Sequence, residues 1–148
     1  MNLSLMFSRG TVALAIFSSL LLTGCSVISE ILPDAAITNV LSGREGINGP
    51  VLVVKIDDTT QAHPQVGLED ADIVYIEQVE GGLTRLAAVF SSVIPQRIGP
   101  VRSARISDIE ILSQFGRVAF AYSGAQSKLL AVIAAANLQD LGAQRQSP

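Results

Sequence analysis

The sequence predicts an α/β or α+β domain built on a mixed sheet, with an antiparallel hairpin and flanking helices. Three observations support this class. A β-branched run at 51–57 is typical of a buried strand. Two apolar runs on either side of Gly81 and Gly82 indicate a hairpin. After residue 103, two helical patterns enclose one more apolar run, so helices and strands share one domain.

The first half of the domain is predicted to hold three strands. "VLVVKID" at 51–57 lacks polar alternation, so we expect both faces of this strand to be covered. A polar connection leads to a second strand, "DIVYIEQVE" at 72–80, and a third lies in "LTRLAAVFSS" at 83–92. Because glycine reaches the positive φ values of a tight turn, the second and third strands should pair antiparallel.

The second half is predicted to contain a helix, a strand and a helix. The loop "SSVIPQRIGPVR" has two prolines, which exclude it from a central strand. Apolar residues three apart predict a helix over 103–115, "VAFAYSG" at 118–124 predicts a strand, and "SKLLAVIAAANL" at 127–138 predicts a helix. Two helices give little cover to a sheet with a fully buried strand, so we expect the chain to be part of a longer protein.

The amino terminus predicts export and lipid attachment. Residues 1–24 combine one basic residue, the apolar run "TVALAIFSSLLLT" and a final glycine, as a signal peptide does. "LLTGC" resembles the bacterial lipobox, in which the cysteine is acylated, and Cys25 is the only cysteine of the chain. Acyl chains on Cys25 would anchor the protein to the cell membrane at its extracytoplasmic face. The alternative is a free thiol behind a hydrophobic first helix. A tether is expected at 25–49 and the domain at 50–148.

The charge balance argues against nucleic acid as a partner. The chain has a net charge of −3, and loss of the signal peptide would remove only the positive Arg9. Nucleic-acid-binding domains show a basic excess instead. The charges are nonetheless segregated along the chain. Seven acidic residues and no Lys or Arg lie in 57–80, whereas four arginines and no acidic residue lie in 85–105.

Two interpretations of this segregation stay open. The two blocks can neutralise each other at the surface, where exposed ion pairs contribute little to stability. Alternatively, the arginines of "IGPVRSAR" are grouped to bind an anion, because arginine holds carboxylate or phosphate through two parallel hydrogen bonds. The helix expected from residue 103 would add unpaired backbone amides. The candidate ligand-binding residues are Asp57, Glu80, Arg85, Arg102 and Arg105.

Fewer residues indicate catalytic chemistry. Asp57 and Asp58 follow a strand end, where an acid/base pair or a Mg²⁺ or Ca²⁺ site could form. Zinc is not predicted, because the single histidine, His63, lies in a polar loop and is expected to be solvated. Neither a "G-x-S-x-G" nor a Walker-type motif occurs. The sequence therefore predicts no metal and no cofactor, and it leaves the catalytic residues unassigned.

Three motifs together carry a family resemblance. "HPQVGLEDADIVY", "VEGGLTR" and "IGPVRSAR" resemble the amino-terminal domain of the YerB-like lipoproteins, a bacterial family of unknown function, over 51–124. The resemblance implies a lipid-anchored protein outside the cytoplasmic membrane and a longer chain with a second, carboxy-terminal domain. Many relatives have an acidic residue directly after the tyrosine of "ADIVY". This sequence has Ile76 there and Glu77 next, so no role is carried onto Glu77.

Two hypotheses of different classes follow from these observations. The first is a binding or scaffolding module of the cell envelope that recognises an anionic or glycan ligand through its arginines, with the membrane as partner through Cys25. The second is an envelope hydrolase that depends on carboxylates or a divalent metal. Whether the protein is an enzyme stays open between them.

Overall fold

The computed structural model describes residues 36–146, so the expected signal peptide at 1–24 and the lipidation site Cys25 lie outside the described residues. The elements are β1 (Leu52–Asp57), β2 (Ile73–Gln78), β3 (Thr84–Phe90), α1 (Ser107–Ser113), β4 (Val118–Tyr122), α2 (Ser127–Ala135), β5 (Leu138–Gly142) and α3 (Ala143–Gln146). The strands form one five-stranded sheet in the order β2-β3-β1-β4-β5. Within 36–146, the helices are too short or too polar to cross a membrane.

The sheet is mixed, and the predicted class is confirmed. The central strand β1 pairs antiparallel with β3 and parallel with β4. β2 pairs antiparallel with β3, and β4 pairs parallel with β5. The hairpin between β2 and β3 turns at Glu80–Gly82, where Gly81 has a φ of 77° and Gly82 a φ of 72°. These values favour glycine, which explains why the glycine pair predicts the turn.

α1 and α2 are both shorter than predicted, and neither β5 nor α3 was predicted. α1 begins at Ser107 rather than at 103, because the Ala104 amide donates to Gly124 O at 2.8 Å and holds the preceding residues extended. α2 ends at Ala135 rather than at 138, and β5 follows almost at once. Gly142 in β5 allows close packing, since a Cβ there would lie 2.5 Å from the Tyr122 ring.

Two apolar layers cover the two faces of the sheet. The helix-side layer includes Val53, Ala87, Val89, Leu112, Val118, Phe120, Leu129 and Ile133. On the opposite face the buried set is Val54, Ile56, Leu86, Ala88 and Phe90, with loop residues such as Leu68 and Ile98 packed against it. The expectation that both faces of the first strand are covered is confirmed, although loops rather than helices cover one of them.

Within residues 37–49, expected as part of a tether, some residues contact the domain although most are exposed. Asn39 is 1% exposed and donates to Ser91 Oγ at 3.3 Å. Arg44 Nη2 donates to Ala71 O at 2.7 Å. The packed part of the chain therefore begins ahead of Pro50, where the sequence places the start of the domain.

Asp72 fastens the start of β2 to the end of β3. Its Oδ2 accepts the Ser91 and Ser92 amides at 2.6 and 2.8 Å, and its Oδ1 accepts Ser42 Oγ at 2.7 Å. Burial alone would raise the pKa of Asp72, but the hydrogen bonds from Ser92, Ser42 and Ser91 outweigh it and lower the pKa to about 2. The Asp72 carboxylate therefore has a structural role, since it holds these segments of the chain together.

Candidate functional site

The arginines of "IGPVRSAR" are positioned by a segment that fills the gap between two diverging strands. β1 and β4 pair only at residues 52–54 of β1, and residues 100–104 lie between them beyond that point. The Arg102 amide donates to Lys55 O at 2.8 Å, and Arg102 O accepts the Ser123 amide at 3.0 Å. This double attachment brings Arg102 to the carboxyl ends of both strands.

The five predicted site residues lie close together at this end of the sheet. Arg102 Nε is 3.2 Å from Asp57 Oδ2, and Arg105 Nη2 is 2.9 Å from Glu80 Oε2. Arg85 is directly opposite Asp57 in the pairing of β1 with β3, so their side chains share the helix-side face. Three guanidinium groups therefore face two carboxylates, which leaves one positive charge uncompensated within this cluster.

Arg85 is the guanidinium without a carboxylate partner. It is half-buried and donates from Nη1 to Ser103 O at 2.9 Å, and within residues 36–146 no carboxylate oxygen lies within 4 Å of it. Burial lowers the pKa of Arg85, and the positive charges of Arg105 and Arg102 lower it further. An anion beside Arg85 would reduce the repulsion from the other guanidinium groups and offset the cost of burying this charge.

The two ion pairs of the cluster are accessible to solvent. The Arg102 side chain is 47% exposed and the Glu80 side chain 65% exposed. The pKa of Glu80 is lowered by a hydrogen bond from its own backbone amide and by Arg105. Because exposed pairs contribute little net stability, a ligand carboxylate or phosphate could replace the Asp57 or Glu80 carboxylate at small cost. Mutual neutralisation thus describes Arg102 and Arg105, whereas Arg85 forms no ion pair among the described residues and has Glu77 directly opposite it in the pairing of β2 with β3.

The N-terminus of α1 does not supply backbone amides beside the arginines, which the sequence predicts it to do. α1 has only seven residues and begins at Ser107, after both arginines of the motif. The Arg105 backbone amide donates to the Asp108 carboxylate at 2.6 Å, so this amide is already hydrogen-bonded within the chain. At this end of the sheet, the groups that could contact an anion are therefore side chains rather than backbone amides.

A buried charge cluster lies next to the five residues, and the sequence did not predict it. Lys55 is 0% exposed and its Nζ contacts Glu77 Oε1 as well as Asp108 Oδ1, the latter at 2.7 Å. Glu77 Oε2 accepts Ser107 Oγ at 2.5 Å. Glu77, which received no role from the family resemblance, is therefore the link between Lys55 and a serine at the surface.

The three charges of the buried cluster do not cancel. Two carboxylates share one ammonium group, so one negative charge remains when all three residues are ionised. Burial raises the pKa of Asp108 to about 6, with Lys55 opposing the shift and Glu77 adding to it. One sequence signal points to this cluster, namely a lysine inside the apolar run "VLVVKID". A lysine in a strand buried on both faces requires a buried acidic partner.

A groove joins the two clusters at the surface. It has a volume of about 460 Å³ and is lined by Gln78, Val79, Glu80, Arg105, Ile106 and Ser107. Glu80 and Arg105 belong to the predicted arginine site, whereas Ser107 contacts Glu77 of the buried cluster. A molecule in this groove would contact both sets of polar groups.

The carboxylates at the end of β1 have separate partners. Asp57 pairs with Arg102, and Asp58 accepts Thr84 Oγ1 at 2.5 Å. His63, expected to be solvated, is 51% exposed and its Nε2 lies 3.2 Å from Asp58 Oδ1. Among the described residues, no three His, Cys, Asp or Glu side chains converge as metal ligands. These contacts give no support to a hydrolase based on Asp57 or on a metal ion.

The mixed sheet and its polar end define an α+β domain whose motifs match a known family. The model of the family described as "Protein of unknown function (DUF3048) N-terminal domain" matches residues 37–148, and the chain belongs to this family. The resemblance to the YerB-like proteins is thereby confirmed.

Two comparisons with individual proteins agree with this assignment. The chain is 35% identical over 101 residues to "Putative lipoprotein YerB" of Bacillus subtilis (strain 168), which covers 64% of this chain and 30% of that protein. It is also similar to a crystal structure of YerB from Bacillus subtilis, with a TM-score of 0.63, 28% identity, and coverage of 70% of this chain and 38% of that chain. The chain thus spans less than two fifths of the length of these relatives.

Proposed function

We propose that the chain is a lipid-anchored protein of the cell envelope that binds an anionic ligand, such as a charged glycan or a phosphate polymer. Arg85, Arg102 and Arg105 hold the ligand, and Asp57 and Glu80 are the carboxylates that it displaces or adjoins. The anchor is the acylated Cys25, which places the domain at the extracytoplasmic face of the membrane. Lipid attachment at Cys25 is supported by the "LLTGC" motif and by the similarity to a protein whose name describes a lipoprotein.

The observation that carries the proposal is the unmatched positive charge at Arg85. Its guanidinium is half-buried and faces two further guanidinium groups, and its one described hydrogen bond uses a single Nη1 donor. The Nη2 edge of such a group can bind a carboxylate or phosphate through parallel hydrogen bonds. Charge-assisted hydrogen bonds of this kind contribute about 1.5 to 3 kcal/mol. Binding at Arg85 is therefore expected to dominate, with Arg102 and Arg105 as flanking charges.

The test measures binding of the full chain, purified in detergent, to poly(glycerol phosphate) and to polygalacturonate, with neutral dextran as the uncharged probe. We expect saturable binding to at least one anionic polymer, no binding to dextran, and weaker binding at higher salt. Arg85→Ala should weaken binding about tenfold or more, since tenfold corresponds to about 1.4 kcal/mol. Arg85→Lys should also bind more weakly, because an ammonium group lacks the planar pair of donors.

The matched control is Arg117→Ala, which removes an exposed arginine outside the cluster and changes the net charge by the same amount as Arg85→Ala. It should bind as the unaltered chain does. Equal affinity of Arg85→Ala and Arg117→Ala, or equal retention on dextran, would contradict the proposal. Circular dichroism on each variant separates a loss of binding from a loss of fold.

A further inference from the structure

Ser107 has the contacts of a nucleophile beside a general base. Its side chain is exposed and lines the groove of about 460 Å³. Its hydroxyl donates to Glu77 Oε2 at 2.5 Å, and Glu77 is only 9% exposed. A hydroxyl at the surface of a groove that donates to a buried carboxylate is the first element of a nucleophile and base pair.

The base is itself held in place by further groups. Glu77 Oε1 contacts the Nζ of Lys55, which is completely buried, and Lys55 Nζ lies 2.7 Å from Asp108 Oδ1. Asp108 Oδ2 in turn accepts the Arg105 amide at 2.6 Å. Lys55 and Asp108 are therefore positioning residues, and the order Ser107, Glu77, Lys55 runs from the surface into the core.

We propose that Ser107 attacks carboxylic esters bound in this groove and that Glu77 accepts its proton. The substrate class is an acyl ester, and the oxygen that becomes negatively charged would compete with the exposed Glu80 carboxylate for the Arg105 guanidinium in the groove wall. This inference goes beyond the binding of an anion and does not require Arg85. It also differs from a hydrolase based on Asp57 or a metal, since it uses other residues and no ion.

The proposed reaction has two balanced halves. Ser107 Oγ forms a bond to the ester carbonyl carbon while its proton moves to Glu77 Oε2, and the tetrahedral oxyanion develops beside Arg105. The carbon–oxygen bond to the alcohol then breaks, and protonated Glu77 returns its proton to the departing alkoxide. Water, whose proton Glu77 accepts, attacks the acyl-serine in the second half. The acid product leaves and Ser107 recovers its proton.

The charge of the buried cluster favours this role for Glu77. Lys55 Nζ contacts both Glu77 and Asp108, so the two carboxylates share a single positive charge. The cluster is therefore negative by one charge when ionised, and a proton from Ser107 would neutralise it. Burial and Glu77 together raise the pKa of Asp108 to about 6 against the opposing effect of Lys55.

The test uses the full chain in detergent and two readouts. A fluorophosphonate probe followed by intact mass and peptide mapping should label Ser107. The matched control serine is Ser113, which lies at the end of the same helix and donates only to Glu110 O. Ser107→Ala should abolish labelling and reduce p-nitrophenyl acetate hydrolysis to the uncatalysed rate, whereas Ser113→Ala should change neither.

Glu77→Gln keeps the shape of the base and should slow hydrolysis about 100-fold or more. A folded chain whose Ser107 is labelled no faster than Ser113, or whose esterase rate survives Ser107→Ala, would overturn the inference. An unaltered chain that binds anionic polymers but is not labelled by the probe would refute the inference and leave the proposed binding function standing.

Discussion

Replacement of Lys55 by methionine tests how strongly the buried cluster is coupled to the fold. Methionine has a similar length and fills most of the space, so the main change is electrostatic. The variant leaves Glu77 and Asp108, which are 9% and 1% exposed, buried without their shared cation. Removing one partner of a buried ion pair costs about 3–5 kcal/mol, which is a large part of the 5–15 kcal/mol that stabilises a typical domain.

The loss should also depend on pH. At pH 7 both carboxylates of Lys55→Met must stay ionised without a counter-charge or take up a proton. At pH 5 Asp108, whose pKa is already raised to about 6 in the presence of Lys55, is largely protonated, so less charge is buried. We therefore expect a destabilisation of about 3–5 kcal/mol at pH 7 and a smaller one at pH 5.

Urea unfolding followed by circular dichroism measures the free energy of unfolding of this variant. Lys128→Met, at an exposed position of α2, is the matched control and should change stability little. A loss at Lys55 no larger than that at Lys128, or a loss that is the same at pH 5 and pH 7, would refute the reasoning that the cluster is a desolvated charge network.

Three further changes have defined outcomes. The pKa of Asp72 is lowered from 3.8 to about 2, so its contribution to stability is present above about pH 4 and is lost as the pH falls through 2. Asp72→Asn should therefore destabilise the chain by about 1–2 kcal/mol at pH 7, and urea titrations should show this difference shrinking below pH 4. The pKa of Asp108 is raised rather than lowered, so the unaltered chain should lose stability as the pH rises from about 4 to 6. Asp108→Asn should flatten that part of the curve of stability against pH. Gly67→Ala should cost more than Gly81→Ala in thermal unfolding, because both glycines have a positive φ but only at Gly67 would a Cβ meet a backbone atom, Arg97 O at 2.4 Å. Equal losses at the two glycines would show that the contact with Arg97 relaxes freely.

The parts of the fold that sequence could predict depend on local patterns. The β-branched run at 51–57 and the glycine pair at 81 and 82 are each short-range signals, and the strands and hairpin follow from them. β5 was missed because Leu138–Gly142 closely follows an apolar helix and has two adjacent polar residues, so its five positions show no alternation. The start of α1 was misplaced because residues 103 and 104 are held by the end of β4, a contact that no local pattern shows.

The candidate site could be predicted only in part for the same reason. Arg102 and Arg105 were found through their separation from the acidic block, which the glycine turn folds back on them. The unpaired state of Arg85 depends on strand register and on which neighbour takes each carboxylate. The buried cluster joins residues 22 and 53 positions apart in the chain, so its composition became evident only once β1, β2 and α1 were placed together.

The most direct test of the anion site observes the arginine side chains themselves. In ¹⁵N NMR spectra of the full chain in detergent, the Nε–Hε signals of Arg85, Arg102 and Arg105 should shift together and saturate as glycerol phosphate polymer is added, while that of Arg117 stays unchanged. The largest shift should belong to Arg85, since it gains a partner without losing one. Shifts of similar size at all arginines, or a signal of Arg85 that stays fixed while the polymer binds, would contradict the account.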